Sequence, residues 1–218
     1  MNGFQQIWSE IPYIIGGVKV TLGYALISML LGFCGGIIIT ALRFCKIKIL
    51  NLACEAYISV FRGTPLLLQL SIIYFAIPQF VGYQIPPFIA GITAFGLNSS
   101  AYVAEIIRAG IQSIDTGEIE IASLLGCNKV QIFRDIIIPQ SIRNVLPSLV
   151  NEMVDLLKES ALVSTIGETD LLRRANIVSS EHYTYIEPLL VAGACYYVLV
   201  MLLSRVAKLI ERRLSCSK

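Results

Sequence analysis

Apolar residues gather into five long runs separated by shorter polar stretches. They cover roughly Pro12–Leu42, Leu52–Ile77, Pro87–Ile107, Pro147–Ile166 and Glu187–Leu209. A helix needs about 20 mainly apolar residues to cross the hydrocarbon core of a bilayer, so the pattern predicts an all-α membrane protein of about five transmembrane helices. The whole chain, residues 1–218, reads as one domain. The first run is long enough to tilt or to begin outside the bilayer. The fourth is unusually polar.

Basic residues orient the spans, because cytoplasmic loops collect Lys and Arg. Arg43, Lys46 and Lys48 follow the first run, and Arg205, Lys208, Arg212, Arg213 and Lys218 crowd the C-terminus. The N-terminal tail has no basic residue before Lys19, and the loop PQFVGYQIP after the second run is uncharged. The N-terminus is therefore expected outside and the C-terminus inside. The segment 167–185 then lies outside despite Arg173 and Arg174, which are accompanied by Glu168, Asp170 and Glu181.

This orientation places residues 108–146 in the cytoplasm, and their pattern is ordered. Asp115 suits an N-cap, with Glu118 at the reciprocal position of a capping box. Gly126 suits a left-handed helix stop. Asn128 with Gln131 predicts a second capped helix, along which Val130, Phe133 and Ile137 recur at helical spacing. Pro139 is expected to end it. Helix, glycine turn, helix, proline reads as a compact docking element for a soluble partner, or as a structured loop without one.

Two features do not belong in a passive bundle. Arg62-Gly63-Thr64-Pro65 interrupts the second run near mid-bilayer, counting from Leu52 at about 1.5 Å per residue. Gly63 permits an unusual backbone angle, Thr64 suits an N-cap and Pro65 a first helical residue. A fresh helix start at that depth offers free N–H groups and a partial positive charge to an anionic solute group. Arg62 either joins that site or pairs with a protein carboxylate, and the alternative for the motif is a kink used for packing. The second feature is the fourth run. At about 100° per residue, Asn151, Glu152, Asp155, Lys158 and Glu159 share one arc, away from Met153, Val154, Leu156 and Leu157. Charges in a span face the bundle interior or a water-filled cavity. Asp155 and Lys158 are spaced to neutralise each other, leaving Glu159 and Ser160 to meet a solute ammonium. Asn98 and Ser99 in the third run are further candidates, although such residues also join helices, as Gly32-x-x-x-Gly36 in the first run can.

Composition supports a lipid-facing surface. The chain is 56% hydrophobic and 15% charged, where soluble domains are about a quarter charged. A net charge of +2 gives no case for nucleic acid. Cys34, Cys45, Cys54, Cys127, Cys195 and Cys216 form no C-x-x-C pair, and His182 is the only histidine, so no metal site is expected. The N-terminal residues lack the basic region of a secretory signal, so the first span is expected to be retained. No G-x-x-x-x-G-K-[ST] phosphate loop is present.

Two stretches carry a resemblance. GEIEIASLLGCNKVQIFRDIIIPQ resembles the EAA loop of ABC importer permeases, with Glu120, Ala122, Gly126, Ile136 and Pro139 in register and Ile121 and Ile138 as apolar replacements. FRGTPLLLQL resembles the signature of the polar amino acid subfamily, which includes histidine and glutamine permeases, and NEMVDLLKESALVSTIG continues the likeness. The resemblance implies a type I importer permease in a bacterial plasma (inner) membrane, transporting solute but not itself an enzyme. It implies coupling contacts at Glu120, Ala122, Gly126 and Pro139, with Arg62, Gly63, Thr64, Asn98, Ser99, Glu159 and Ser160 at or near the solute path. It also implies a second permease copy or paralogue, a separate ATP-binding subunit that holds ATP and Mg, and an extracytoplasmic solute-binding protein. No cofactor is expected in this chain. The residues alone also admit an ion-gradient-driven carrier or channel, or a non-transporting assembly protein.

Overall fold

A computed structural model describes residues 3–45 and 47–215. Lys46, Cys216 and Lys218, and the side chains of Arg212 and Arg213, lie outside what is described. Nearly all of the described chain is helical, and it contains no strand. In chain order the helices are α1 (Gly3–Ile7), α2 (Ile11–Gly16), α3 (Val18–Phe44), α4 (Lys48–Gly63), α5 (Leu66–Ser71), α6 (Ile77–Val81), α7 (Pro87–Gln112), α8 (Thr116–Leu124), α9 (Lys129–Gln131), α10 (Ile138–Glu159), α11 (Leu171–His182) and α12 (Ile186–Ser215).

The centre of the fold is the pairing of α3 with α7, which packs along most of both helices. Glycine makes that approach possible. A Cβ on Gly32 would stand 2.4 Å from Ser99 Oγ, and one on Gly36 2.5 Å from a Val103 methyl. The small-residue motif in the first run is therefore a packing surface. Helix α10 crosses both α3 and α7, and α12 lies against α10 and α11. One buried cluster joins Tyr24, Leu66, Leu70, Phe95, Leu156 and Val163. It brings the start of α5 and the end of α10 to the same part of the core.

Among the described residues, two stretches are long and apolar enough to cross a membrane: Phe4–Phe44 and Ile186–Leu209. The pair Lys48–Gly63 and Leu66–Val81, bent by 103°, makes a third if taken as one span. The other two expected spans, α7 and α10, have the length but not the apolar composition. The polar residues of α7 are turned inward: Asn98, Ser99 and Ser100 are all buried.

Three expectations are corrected here. Pro139 does not end the second cytoplasmic helix. The chain continues from α9 through a wide π turn at Ile132–Ile137 into α10, with Pro139 in its first turn. Proline lacks an N–H and its ring collides with the carbonyl four residues back, and the wider turn just before it relieves the crowding. Pro78 follows a π turn at Ile72–Ala76 in the same way. Glu118 does not complete a capping box, because its carboxylate accepts a bond from Gln140 Nε2 on α10 instead. Gly63 has an ordinary negative φ and stays in α4.

Outside the bundle core, α11 is capped by buried Asp170, whose carboxylate accepts from Leu172 N and Arg173 N at 3.1 and 2.9 Å. Arg174 donates to the Tyr13 carbonyl at 2.9 Å and lies over the Tyr13 ring. One of the two arginines in the expected external segment thus fastens α11 to α2.

Candidate functional site

The break between α4 and α5 is created by Pro65. Thr64, the residue before it, is forced to an extended backbone (φ −121°, ψ 146°), as the ring demands of its predecessor. Pro65 is extended too, so the new helix begins at Leu66 and not at Pro65. Thr64 does not cap it; its hydroxyl donates back to the Val60 carbonyl at 2.8 Å. The carbonyl of Phe61 faces residue 65, which has no N–H to give. Two side-chain amides take over. Gln69 Nε2 donates to Phe61 O at 2.9 Å, Thr64 O at 3.1 Å and Thr64 Oγ1 at 2.9 Å. Asn98 Nδ2, on α7, donates to Phe61 O and to Gln69 Oε1, both at 3.1 Å. Both amides are buried, where an unanswered carbonyl would cost about 1–3 kcal/mol. Asn98 is thus part of the frame that holds the break open. Gln69 was not singled out from sequence, although an amide four residues after a proline in an apolar run is a readable signal.

One turn before the break, Arg62 does not face the helix start. Its guanidinium lies 3.6 Å from Glu105 and over the ring of Tyr102. Glu105 is the hub of an ion cluster, bonding Arg43 at 2.9 Å and Arg108 at 2.7 Å. Of the two roles open to Arg62, the structure shows the pairing with a protein carboxylate. The cluster borders a cavity of about 860 Å³ lined by Arg62, Tyr102, Glu105, Arg108, Arg143 and Asn144 among others.

The polar arc of α10 is also resolved. Asp155 and Lys158 pair at 2.6 Å. With Glu159 and Leu162 they line a recess of about 290 Å³. Leu157 is buried on the opposite side, and Leu156 is buried on the flank of the arc, in the cluster with Leu66 and Leu70. Glu159 is half-buried and has no hydrogen-bond or ion-pair partner among the described residues. Ser160 is buried, and its hydroxyl donates to the Leu157 carbonyl at 2.7 Å. Ser99 is wholly buried against Gly32, with the Glu152 carboxylate of α10 beside its hydroxyl. Of the seven candidate solute residues, Glu159 alone keeps a partly exposed, uncommitted polar group among the described residues; Thr64, Asn98 and Ser160 spend theirs on the frame, Arg62 pairs with Glu105, and Ser99 is sealed inside the bundle.

The docking element forms largely as its sequence signals demand. Asp115 Oδ1 accepts from Gly117 N at 2.8 Å. Helix α8 stops at Gly126 (φ +88°) with bonds from Gly126 N to Ser123 O and from Cys127 N to Ala122 O, the paired closure expected of a left-handed glycine. Asn128 and Gln131 form the reciprocal capping box. Ala122 is buried, whereas Glu120, Gly126 and Pro139 are exposed. So are Ile121 (60%), Leu124 (87%), Leu125 (79%) and Val130 (73%), which form an apolar tip with nothing over it.

Comparison with known proteins decides what this arrangement belongs to. Residues 32–215 match the family described as "Binding-protein-dependent transport system inner membrane component". The chain belongs to that family. Among its relatives, the putative glutamine transport system permease protein GlnP of Rickettsia typhi is 50% identical over 96% of each chain. The arginine transport system permease protein ArtQ of Bacillus subtilis is 44% identical over 94% of each. The crystal structure of an amino acid ABC transporter with histidines superposes with a TM-score of 0.92 at 45% identity, covering 96% of this chain and 98% of that one. An inward-facing MetNI methionine ABC transporter shares the fold at a TM-score of 0.71 and 18% identity. The chain is therefore an ABC importer permease, a transport component. The gradient-driven carrier and the non-transporting assembly protein are set aside.

Proposed function

We propose that this permease is one of two membrane subunits of an ATP-driven importer for polar amino acids of the glutamine, arginine or histidine type. It spans a bacterial inner membrane about five times, counting the bent pair once, α7 as a span whose polar residues turn inward and α10 as a span whose polar arc faces the solute path. The N-terminus is outside, and the cytoplasmic segment expected over about 108–146 narrows to the docking element between the end of α7 and the first turns of α10. Its partners are a second copy or paralogue, an extracytoplasmic solute-binding protein and a separate ATPase subunit. ATP and Mg are held by that subunit, and this chain carries no cofactor.

The observation that carries this reading is the uncovered apolar tip, Ile121, Leu124, Leu125 and Val130, on an otherwise well-capped element. Four large apolar side chains projecting into water fit a surface that is covered in the working assembly. Glu120, Ala122, Gly126 and Pro139 belong to the same element and carry the coupling. ATP-driven closure of the ATPases moves the element, and α10, continuous with it, transmits the motion to the polar arc.

The solute passes between the α4–α5 break and that arc. Its carboxylate meets the helix start at Thr64–Leu66, where the first N–H groups of α5 lack helical partners. Gly63 and Arg62 border this point, Asn98 holds it, and Ser99, sealed between α7 and Gly32, backs the wall behind it. Its ammonium meets Glu159, beside Ser160. The test is solute-stimulated ATP hydrolysis and uptake by the reconstituted complex with loaded binding protein. Glu159→Gln is expected to lower stimulated uptake with assembly intact, and unchanged uptake would remove Glu159 from the path. Glu120→Lys with Gly126→Asp is expected to abolish the stimulation, and a retained response would refute the coupling role.

A further inference from the structure

A third cavity, separate from the solute path, lies on the opposite side of α7. It has a volume of about 530 Å³ and is almost wholly apolar, walled by Phe33 and Ile37 of α3, Ile111 of α7, and Ile138, Ile142 and Val145 of α10. Phe33, Ile37, Ile138 and Ile142 are all substantially exposed, so the groove is open along its length. Two hydroxyl residues line it: Thr40, whose hydroxyl donates to the Gly36 carbonyl at 2.8 Å, and Ser141, which is 7% exposed and whose hydroxyl has no partner.

At its end the groove runs into a smaller pocket of about 170 Å³, with which it shares Thr40, Phe44 and Ile111. This pocket is lined by Arg43, Arg108 and Gln112. Both arginines bond Glu105, and Arg43 also approaches Glu55 at 3.6 Å. Arg62 brings a third guanidinium to the same hub. Three guanidiniums against two carboxylates leave a net positive charge. Each guanidinium has five N–H donors, and Arg43 uses only part of its set on these partners.

An apolar channel on the scale of one acyl chain, ending at unspent arginine donors, has the layout of a phospholipid. We infer that the groove between α3, α7 and α10 binds one anionic phospholipid, with an acyl chain along Phe33–Ile142, the glycerol ester region near Ser141 and the phosphate at Arg43 and Arg108. Basic pockets between helices at the cytoplasmic face take anionic headgroups in this way, and arginine favours the phosphate geometry. The site does not depend on which solute is carried. It does place a lipid against α10, between the docking element and the polar arc.

The test is native mass spectrometry of the detergent-purified full chain, in its complex, with phosphatidylglycerol or phosphatidylcholine of identical acyl chains. One phosphatidylglycerol per chain is expected to be retained, preferred by about fivefold or more. Gln112→Glu adds a negative charge to the headgroup pocket while still accepting from Arg108, and is expected to erase that preference. Ile142→Trp fills the groove and is expected to lower retention of both lipids. Circular dichroism checks that each variant is folded. Equal retention of the two lipids by the wild type, or a preference that survives Gln112→Glu, overturns the site. A photo-crosslinker at position 142 supplies the remaining arm. Label on phospholipid supports the inference, and label on a second copy of the chain overturns it in favour of a subunit interface.

Discussion

Pro65 and Pro139 both sit within long helical runs, and they have opposite consequences. At Pro65 the chain turns by 103° and the helix restarts. At Pro139 the preceding turn widens and the helix carries on into α10. The residues around each proline set the outcome. Near Pro65, Gln69 and Asn98 stand ready to answer the Phe61 and Thr64 carbonyls, so an open break leaves nothing unsatisfied. Near Pro139 the neighbouring amides are spent elsewhere, Gln140 on Glu118, Gln131 on Asn128 N and Asn144 on Ser113, and keeping the helix with one irregular turn costs less than exposing a set of backbone groups. The break is thus a built feature, held by two buried amides, and the π turn keeps the docking element continuous with α10. Under the proposed function, one region presents backbone groups to the solute and the other carries movement from the docking element.

The comparison can be broken in four ways. Pro65→Ala should have the largest functional effect. It restores an N–H for Phe61 O and frees Thr64 to become helical, so the bend loses its cause. Uptake should fall by about tenfold or more, on the scale of a misplaced binding geometry, and the melting temperature in detergent should not fall with it. Gln69→Leu takes the shared donor from Thr64 O and Thr64 Oγ1, weakens the answer to Phe61 O and leaves Asn98 without its Gln69 acceptor, and should destabilise the chain by about 2–4 kcal/mol. Asn98→Leu leaves Gln69 in place to serve Phe61 O, so its cost should be smaller, about 1–2 kcal/mol. Thermal unfolding of the two variants side by side checks that order, and a costlier Asn98→Leu would show that the frame is mis-assigned. Pro139→Ala should do least, because the helix is already continuous there. A change within about 1 kcal/mol is expected, with ATP-coupled uptake retained.

Signals local in sequence were readable; partnerships across the fold were not. Asp115, Gly126 and the Asn128–Gln131 box each act within a few residues, and all three formed as read. The break at Pro65 was legible because proline constrains its own neighbours. Its details were not, since Pro65 is itself extended and takes the N-cap position expected of Thr64, and Gly63 stays in α4. Glu118 was claimed by Gln140, 22 residues away. Arg62 was drawn to Glu105, which also gathers Arg43 from 62 residues away. In a span, a buried charge finds its partner on whichever helix packs against it, and helix pairing is not written in any short window. The polar arc of α10 was legible as a face, because helical period alone fixes it.

The most direct test of ATP coupling through the exposed tip is to measure hydrolysis and solute uptake together in the same lipid vesicles. These would hold the permease, its ATPase and loaded binding protein, with wild type set against Leu124→Asp/Leu125→Asp. Loss of two central apolar contacts at an interface costs about 2 kcal/mol or more, or about thirtyfold in affinity. The account predicts that the variant loses both stimulated hydrolysis and uptake while remaining folded in the membrane. Uptake that persists in the variant, or in wild-type vesicles without ATPase, would contradict it.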